Sequence, residues 1–273
     1  MEKLSIFTTM TKPDERMDPW EEALNCYNYF TNNVRIVGED WPEEFSFEII
    51  GKIFQKGFDE SNSEWVIRMD IDYFFHEKYK KKLLNSLDKY SDEVALAFPQ
   101  YQFFTPDRYQ IKTRLCLALN KNKFPSIKFN GGGDLCLPTL NNKVLLPKDV
   151  KNINIPIYQY DSMFRTKQII EIDRARFARA WYRRFGDYSD RGGPTPDEAF
   201  RAWKKMIDER YVKHTFKMPI EKHPVFIQEK LRTITYEQFG FDAFGLKDNT
   251  KRSFIDYLKG YKEKYYNPIV NLP

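Results

Sequence analysis

Two aspartates separated by one residue, Asp70 and Asp72, directly follow a largely apolar run at residues 65–69. Carboxylate oxygens suit Mg²⁺ and Mn²⁺, which bridge diphosphate oxygens and neutralise the charge on a departing phosphate. The alternative is an ordinary acidic pair that is solvated or caps the next helix. Because apolar residues lie on both sides of the pair, at the end of a predicted strand, we interpret it as a functional site.

Basic and aromatic residues gather in two later stretches, from Tyr101 to Tyr109 and from Tyr158 to Lys167. Aromatic faces beside charged groups suit sugar rings or nucleobases, and arginine can bind a diphosphate through paired hydrogen bonds. Arg165 and Lys167, just after a predicted strand, are the candidates for diphosphate contact. Single-stranded nucleic acid would use the same residue types. Most of the aromatic side chains are nevertheless expected in the core.

Alternating strands and helices at the start of the chain must position the acidic pair. The patterns predict strands at 3–10, 33–38 and 64–69, and helices at 19–30, with Asp18 as N-cap, and at 45–58. This order is typical of an α/β sheet with parallel strands, which binds ligands at the carboxyl ends of its strands. Polar residues stand at three of these ends: Thr8 and Thr9, Glu39 and Asp40, and Asp70 and Asp72.

The second half of the chain is predicted to be mostly helical. Expected elements are a helix at 76–90, strands at 94–104, 126–130 and 154–160, a helix at 161–185 with a basic stripe (Arg176, Arg179, Arg183), and helices at 195–214, from 223 and at 251–265. We expect a core at 1–160 and a helical C-terminal extension at 161–273.

Composition narrows the class of protein. The 273 residues include 44 Lys and Arg against 39 Asp and Glu, a net charge of +5 that allows acidic partners without requiring them. No apolar run approaches the ~20 residues that a membrane span needs. The three cysteines, at 26, 116 and 136, lack the spacing of a zinc site or disulfide framework. We expect a cytoplasmic protein without a signal peptide or a membrane span.

The segment 65–75 resembles the D-x-D region of GT-A glycosyltransferases, particularly the family 2-like group, and the resemblance extends over roughly residues 3–165. It implies a Rossmann-like mixed sheet with helices on both faces, which binds a nucleoside-diphosphate sugar, most simply a UDP- or GDP-sugar, with Mn²⁺ or Mg²⁺. The nucleotide-sugar contacts it implies are Thr8 and Thr9 beside the nucleoside, Glu39 or Asp40 at the base, and Asp70 at the ribose or a metal-bound water. Arg68 and Arg165 complete the candidate nucleotide-sugar-binding residues. Asp72 would ligate the metal, with Asp70 also close to it.

The same resemblance assigns roles to two later residues. A loop after the later strands supplies a carboxylate base in inverting members, which makes Asp134, at the end of the glycine-rich stretch 130–134, the candidate base. A plain turn is the alternative. A C-terminal histidine often ligates the metal, and His223 is the best placed, although it could equally be a structural residue at a helix start. Tyr73 and Gln159 stand where the family often has an acidic residue and a histidine.

The sequence therefore predicts a metal-dependent glycosyltransferase that uses a hydroxyl acceptor, with inversion favoured because the family 2-like group inverts. The acceptor is open among glycans, proteins, small molecules and a hydroxylated base in DNA. A nucleic-acid-binding module, with Asp70 and Asp72 as surface acids, is one alternative. A nucleotidyltransferase is another, although residues 8–16 lack the glycine-rich signature expected after its first strand. A haloacid-dehalogenase phosphatase is excluded because Phe74 occupies the fifth position of its motif.

Overall fold

A computed structural model describes residues 2–39, 41–112, 117–132, 136–160, 162–234, 246 and 251–262. Its strands are β1 (Glu2–Thr9), β2 (Val34–Val37), β3 (Ser63–Arg68), β4 (Tyr73–Phe75), β5 (Ala95–Ala97), β6 (Gln100–Thr105), β7 (Arg108–Lys112), β8 (Leu117–Asn120), β9 (Lys128–Phe129), β10 (Pro138–Leu140), β11 (Lys143–Val144), β12 (Lys151–Asn152), β13 (Ile157–Gln159) and β14 (Phe216–Lys217). Its helices are α1 (Trp20–Phe30), α2 (Phe47–Glu60), α3 (Lys80–Lys89), α4 (Lys167–Phe185), α5 (Pro196–Tyr211), α6 (Val225–Arg232) and α7 (Phe254–Tyr261).

The largest sheet within these residues has six strands in the order β12-β5-β8-β3-β1-β2. Strand β1 is parallel to both β2 and β3, with Ile6 opposite Val34 and Leu4 opposite Trp65. Strand β8 is antiparallel to β3 and β5. The predicted parallel arrangement of the first three strands is confirmed, so their carboxyl ends share one edge of the sheet.

Helices cover both faces of this mixed sheet. Leu4 and Ile6 of β1 face a core shared with α1 and α3, whereas Phe7 faces a second core shared with α2. This alternation follows from the two-residue period of a strand. At Gly57 of α2 a Cβ atom would lie 2.4 Å from Cδ2 of Phe7, so glycine permits the helix to pack closely on β1. The α/β fold class is as predicted.

A second sheet of the described chain has the order β14-β7-β6-β13-β4 and lies next to the acidic pair. The single strand predicted at 94–104 is wrong: β5 belongs to the large sheet and β6 to the second. The two are separated by Phe98 and Pro99, and the Pro99 carbonyl accepts a hydrogen bond from the Ile157 amide (2.9 Å). Strand β4 was also missed. It starts directly after Asp72 and pairs antiparallel with β13, Tyr73 opposite Gln159.

Some helices begin, or are capped, at other residues than the sequence predicted. Helix α4 begins at Lys167 rather than at 161, because Thr166 caps it by accepting from the Ile169 amide (3.4 Å). Asp18 does not cap α1, since its carboxylate is engaged in ion pairs. Helix α5 begins with a capping box, in which Thr195 and Glu198 are bonded reciprocally. No helix in the described ranges is both long enough and apolar enough to cross a bilayer.

Candidate active site

A cavity of about 440 Å³ opens at the carboxyl ends of β1 and β3, between the large sheet and helices α4 and α5. Thr9, Arg68, Asp70 and Asp72 line it from the sheet, and Arg165 lines it from the segment before α4. The parallel strands bring these residues together, as the sequence predicted for the acidic pair. Of the described residues that line the cavity, eight are Lys or Arg and five are Asp, so an anionic ligand is favoured there.

The backbone of the D-x-D turn is held by a hydrogen bond within the turn and by contacts from Tyr27 and Tyr160. The Tyr27 hydroxyl, on α1, lies 2.7 Å from the Asp70 carbonyl oxygen and 3.0 Å from that of Tyr73. The Tyr73 amide donates to the Asp70 carbonyl (2.8 Å), and the Tyr160 amide donates to the Asp72 carbonyl (3.0 Å). Both aspartates are half-buried. A turn tied in this way presents its two carboxylates to the cavity in a fixed position.

Arg68, the last residue of β3, is the ion-pair partner of Asp70. Its Nη2 lies 3.3 Å from Oδ2 of Asp70, and its guanidinium stacks over the Phe54 ring at 4.4 Å. The Arg68 side chain is only 10% exposed, whereas that of Asp70 is 32% exposed on the cavity side. Arg68 thus offsets the charge of Asp70. It also lines the cavity, within reach of an anionic ligand.

Two arginines and two aspartates form a buried ion network on the cavity wall, here called the Arg–Asp network (Arg16, Asp18, Arg165, Asp173). Arg16 donates to Asp18 (3.0 Å) and to Asp173 (2.9 Å). Arg165 donates to Asp18 through Nε (2.8 Å) and to Asp173 through Nη1 (3.0 Å). The aspartate side chains are 3% and 7% exposed, and buried carboxylates of this kind require paired partners. Sequence reasoning missed the network, because its members are far apart in the chain and no local pattern marks them.

The network changes the role that the sequence predicted for Arg165. Its nitrogens already bind two carboxylates, although the side chain still lines the cavity. Burial disfavours the charge of Arg165, but Asp18 and Asp173, with a smaller contribution from Asp72, hold its pKa above the ordinary value. Arg165 is therefore a fixed positive charge near Asp72. Its contact with a diphosphate stays a prediction.

The residues predicted beside the nucleoside are only partly brought together. Thr9 lines the cavity, whereas Thr8 is fully buried and does not. Glu39 is exposed and is not part of the cavity wall, and Asp40 lies outside the described residues. Trp41, which the sequence analysis did not single out, lines the cavity instead. An aromatic residue just after a strand end is the signal that could have found it.

The basic stripe of α4 binds the segment 41–45, which contains Trp41. Arg176 donates to the Pro42 carbonyl (3.0 Å), and Arg179 and Arg183 donate to the Glu44 carboxylate (3.0 and 2.9 Å). Hydrogen bonding from Arg179 and, more weakly, from Arg183 lowers the pKa of Glu44 below its ordinary value despite partial burial. The stripe therefore serves an internal contact.

His223 is not brought to the acidic pair. It is fully buried, its Nδ1 lies 2.7 Å from the Tyr160 hydroxyl, and its ring packs on Phe103 with centroids 4.6 Å apart. Burial lowers the pKa of His223 to about 4. His223 does not line the cavity, and its Nδ1 faces Tyr160, which does. Its expected role as a metal ligand stays a prediction.

The described part of the chain holds no cluster of three or more His, Cys, Asp or Glu side chains that could bind a metal ion unaided. Two half-buried carboxylates at one turn nevertheless fit Mg²⁺ or Mn²⁺, because such ions are commonly held by one or two carboxylates together with substrate phosphates and water. Asp134, the candidate base, and its neighbours Gly133 and Leu135 lie outside the described residues.

Comparisons with known proteins give distant structural likenesses. No family model and no curated protein matches the sequence. S. aureus TarS residues 1–349 align over 67% of this chain and 72% of that chain, with 10% identity and a TM-score of 0.35. The same protein in complex with UDP aligns over 98% and 90%, with 10% identity and a TM-score of 0.36. A glycosyltransferase involved in the glycosylation of the major capsid of PBCV-1 aligns over 44% and 61%, with 21% identity and a TM-score of 0.26. Scores of this size assign neither a family nor an activity to the chain.

Proposed function

We propose that this protein is a metal-dependent glycosyltransferase that moves a sugar from a nucleoside-diphosphate sugar to a hydroxyl acceptor. The observation that carries the proposal is the position of Asp70 and Asp72: two carboxylates on a tied turn, half-buried in a cavity at the carboxyl edge of parallel strands. A solvated acidic pair would need neither the cavity nor the buried supports. Because segment 65–75 resembles the D-x-D region of GT-A glycosyltransferases, we interpret the two carboxylates as the pair that binds the metal ion and the sugar donor.

The donor would lie across the edge of the large sheet. Thr9 and Trp41 would contact the nucleoside, and the cationic side chains that outnumber the acids would attract the diphosphate. Asp72, with Asp70, would hold Mn²⁺ or Mg²⁺, which when bound supplies charge neutralisation for the departing nucleoside diphosphate. Arg68 would hold the D-x-D turn, and Arg165 the cavity wall, in position relative to the diphosphate.

The acceptor side of the reaction needs a base that removes the proton of the attacking hydroxyl. Asp134 is the proposed base, on the resemblance alone, and inversion at the anomeric carbon follows if it acts directly. UDP and GDP are the donor nucleotides to test first. Glycans, proteins and a hydroxylated base in DNA remain candidate acceptors.

The test is thermal stabilisation of the pure protein by UDP, GDP, CMP and dTDP, each with and without Mn²⁺. A ligand at ~100 times its dissociation constant stabilises the folded state by about 2.7 kcal/mol, a readily visible rise in melting temperature. We expect one nucleotide to give a shift that depends on Mn²⁺. The Asp72→Asn variant should lose the Mn²⁺-dependent part and keep the wild-type melting temperature without ligand. Asp208→Asn, an equal charge change on the exposed side of α5, is the matched control.

A normal Mn²⁺-dependent shift in the Asp72→Asn variant would refute the metal assignment. If no nucleotide stabilises the folded wild-type protein, the nucleic-acid-binding alternative takes precedence. That alternative predicts affinity for single-stranded nucleic acid that falls steeply with salt and does not depend on Asp70 or Asp72.

A further inference from the structure

Helix α7 contacts the rest of the described chain through its glycine side. Gly260 is buried, and a Cβ atom there would lie 2.5 Å from Oγ1 of Thr215. The ring of Tyr261, at the edge of this contact, meets Phe216 of β14 with centroids 5.9 Å apart. The helix thus docks on the segment around β14 by close backbone approach rather than by its large side chains.

Away from Gly260, α7 carries five large apolar side chains that are exposed to solvent, of which Tyr261 also borders the contact with β14. They are Phe254 (75% exposed), Ile255 (60%), Tyr257 (41%), Leu258 (51%) and Tyr261 (52%). Their spacing of i, i+1, i+3, i+4 and i+7 places them on one face of a helix. A surface helix of a globular protein normally turns this face inward, so its exposure indicates an interaction surface.

Basic residues flank the apolar face. Lys251, Lys259 and Lys262 are exposed in or beside α7, against one acid, Asp256, whereas Arg252 packs over the Tyr211 ring. Asp256 is engaged at the helix start, where its carboxylate accepts from the Ser253 amide (2.8 Å) in a capping box. Residues 251–262 therefore present a positive charge around an apolar stripe. This combination is typical of helices that lie in the interface of a lipid bilayer.

We propose that α7 is a membrane-surface anchor that inserts its apolar face between the headgroups of an anionic lipid surface. A second copy of the chain is the competing occupant of the same face. Apposing two α7 helices would bring two positively charged segments together, whereas anionic headgroups neutralise Lys259 and Lys262. One helix of eight residues anchors reversibly, in contrast to a membrane span. The proposal does not depend on the activity assigned to the cavity.

The experiment is flotation of the full chain with vesicles of phosphatidylcholine, alone or mixed with phosphatidylglycerol. We expect binding to the mixed vesicles only, decreasing as salt is raised. The double variant Phe254→Ser/Leu258→Ser should bind at least about tenfold more weakly, since it removes two side chains that enter the bilayer interface. Lys259→Gln/Lys262→Gln should weaken binding and reduce its salt dependence.

Ile172→Ser, which removes a comparably exposed apolar side chain from α4, is the matched control and should bind like the wild type. Equal melting temperatures of all variants exclude unfolding as the cause of a loss. Binding to neutral vesicles as strong as to anionic ones would overturn the proposal. So would the absence of vesicle binding, or a dimer in solution that the Phe254→Ser/Leu258→Ser variant dissociates.

Discussion

At the scale of single residues, one buried hydroxyl supports the candidate metal ligands. The Tyr27 side chain is fully buried under the D-x-D turn, and its hydroxyl is within hydrogen-bonding distance of the carbonyls of Asp70 and Tyr73. A carboxylate pair must be held within a fraction of an ångström to bind a small divalent ion well. Tyr27 is therefore a positioning residue for Asp70 and Asp72 under the proposed function.

Replacing Tyr27 by phenylalanine should weaken Mn²⁺-dependent nucleotide binding several-fold, because the turn loses a buried support. The free energy of unfolding should fall by about 1–2 kcal/mol, the usual effect of leaving a buried carbonyl without one donor. Calorimetric titration with and without Mn²⁺ separates the two effects, since metal-independent binding should change little. Tyr29→Phe, on the exposed side of α1, is the control. Unchanged Mn²⁺ dependence in Tyr27→Phe would show that the turn needs no such support.

A local sequence pattern reveals the acidic pair but not the Arg–Asp network. Asp70 and Asp72 stand out in the sequence because their spacing and their place after an apolar run are local. The Arg–Asp network does not, because Arg165 and Asp18 are 147 positions apart. Before the structure is known, Arg165 looks available for a ligand, whereas in the fold its donors are shared between two buried aspartates.

At the scale of elements, α4 controls the segment that carries Trp41. Arg179 and Arg183 bind the Glu44 carboxylate, and the Phe45 and Phe177 rings meet with centroids 4.9 Å apart. The polar contacts are partly exposed, with Glu44 46% accessible, so their share of the total stability is small. Their effect is to fix the place of Trp41 at the cavity.

The Glu44→Gln variant should lower nucleotide affinity several-fold while changing the free energy of unfolding by less than about 1 kcal/mol. The charge pairs that fasten the Trp41 segment are lost, but the aromatic contact beneath them is kept. Nucleotide titration and urea unfolding of the same preparations measure both quantities. Glu171→Gln, which breaks an exposed ion pair within α4, is the control. An equal loss of affinity in both variants would assign the effect to charge alone.

Element prediction succeeded where a pattern is long and failed where pairing partners are distant. The order β1, α1, β2, α2 and β3 follows from periodicity and from turn residues. The division of 94–104 into β5 and β6 was missed although Pro99 marks it, and which sheet each strand joins depends on distant partners. Strand β4 has three residues and exists because β13, more than 80 positions later, pairs with it.

At the scale of the whole molecule, two buried histidines couple folding to pH. His223 and His214 are fully buried, and desolvation lowers their pKa values to about 4 and about 3 from an ordinary 6.5. Between pH 6.5 and 4 the unfolded chain binds protons at these positions and the folded chain does not. The free energy of unfolding therefore falls as the pH is lowered through this window.

Urea unfolding between pH 7 and pH 4 should show this loss, and the His223→Asn variant should show a smaller one. For His223 the difference is on the order of 3 kcal/mol. The variant's stability at pH 7 does not matter for the test, because only the slope with pH is compared. If both proteins lose stability equally between pH 6.5 and 4, other groups cause the dependence.

The sequence by itself determined the α/β class, the parallel start of the sheet and the acidic pair at its edge. These are properties of short segments, in which the side-chain period and neighbouring residues decide the conformation. Tertiary structure alone decided which charges neutralise one another, which aromatic residues line the cavity, and that His223 faces Tyr160. The physical reason is that burial and ion pairing depend on distances between segments far apart in the chain, and the fold sets those distances.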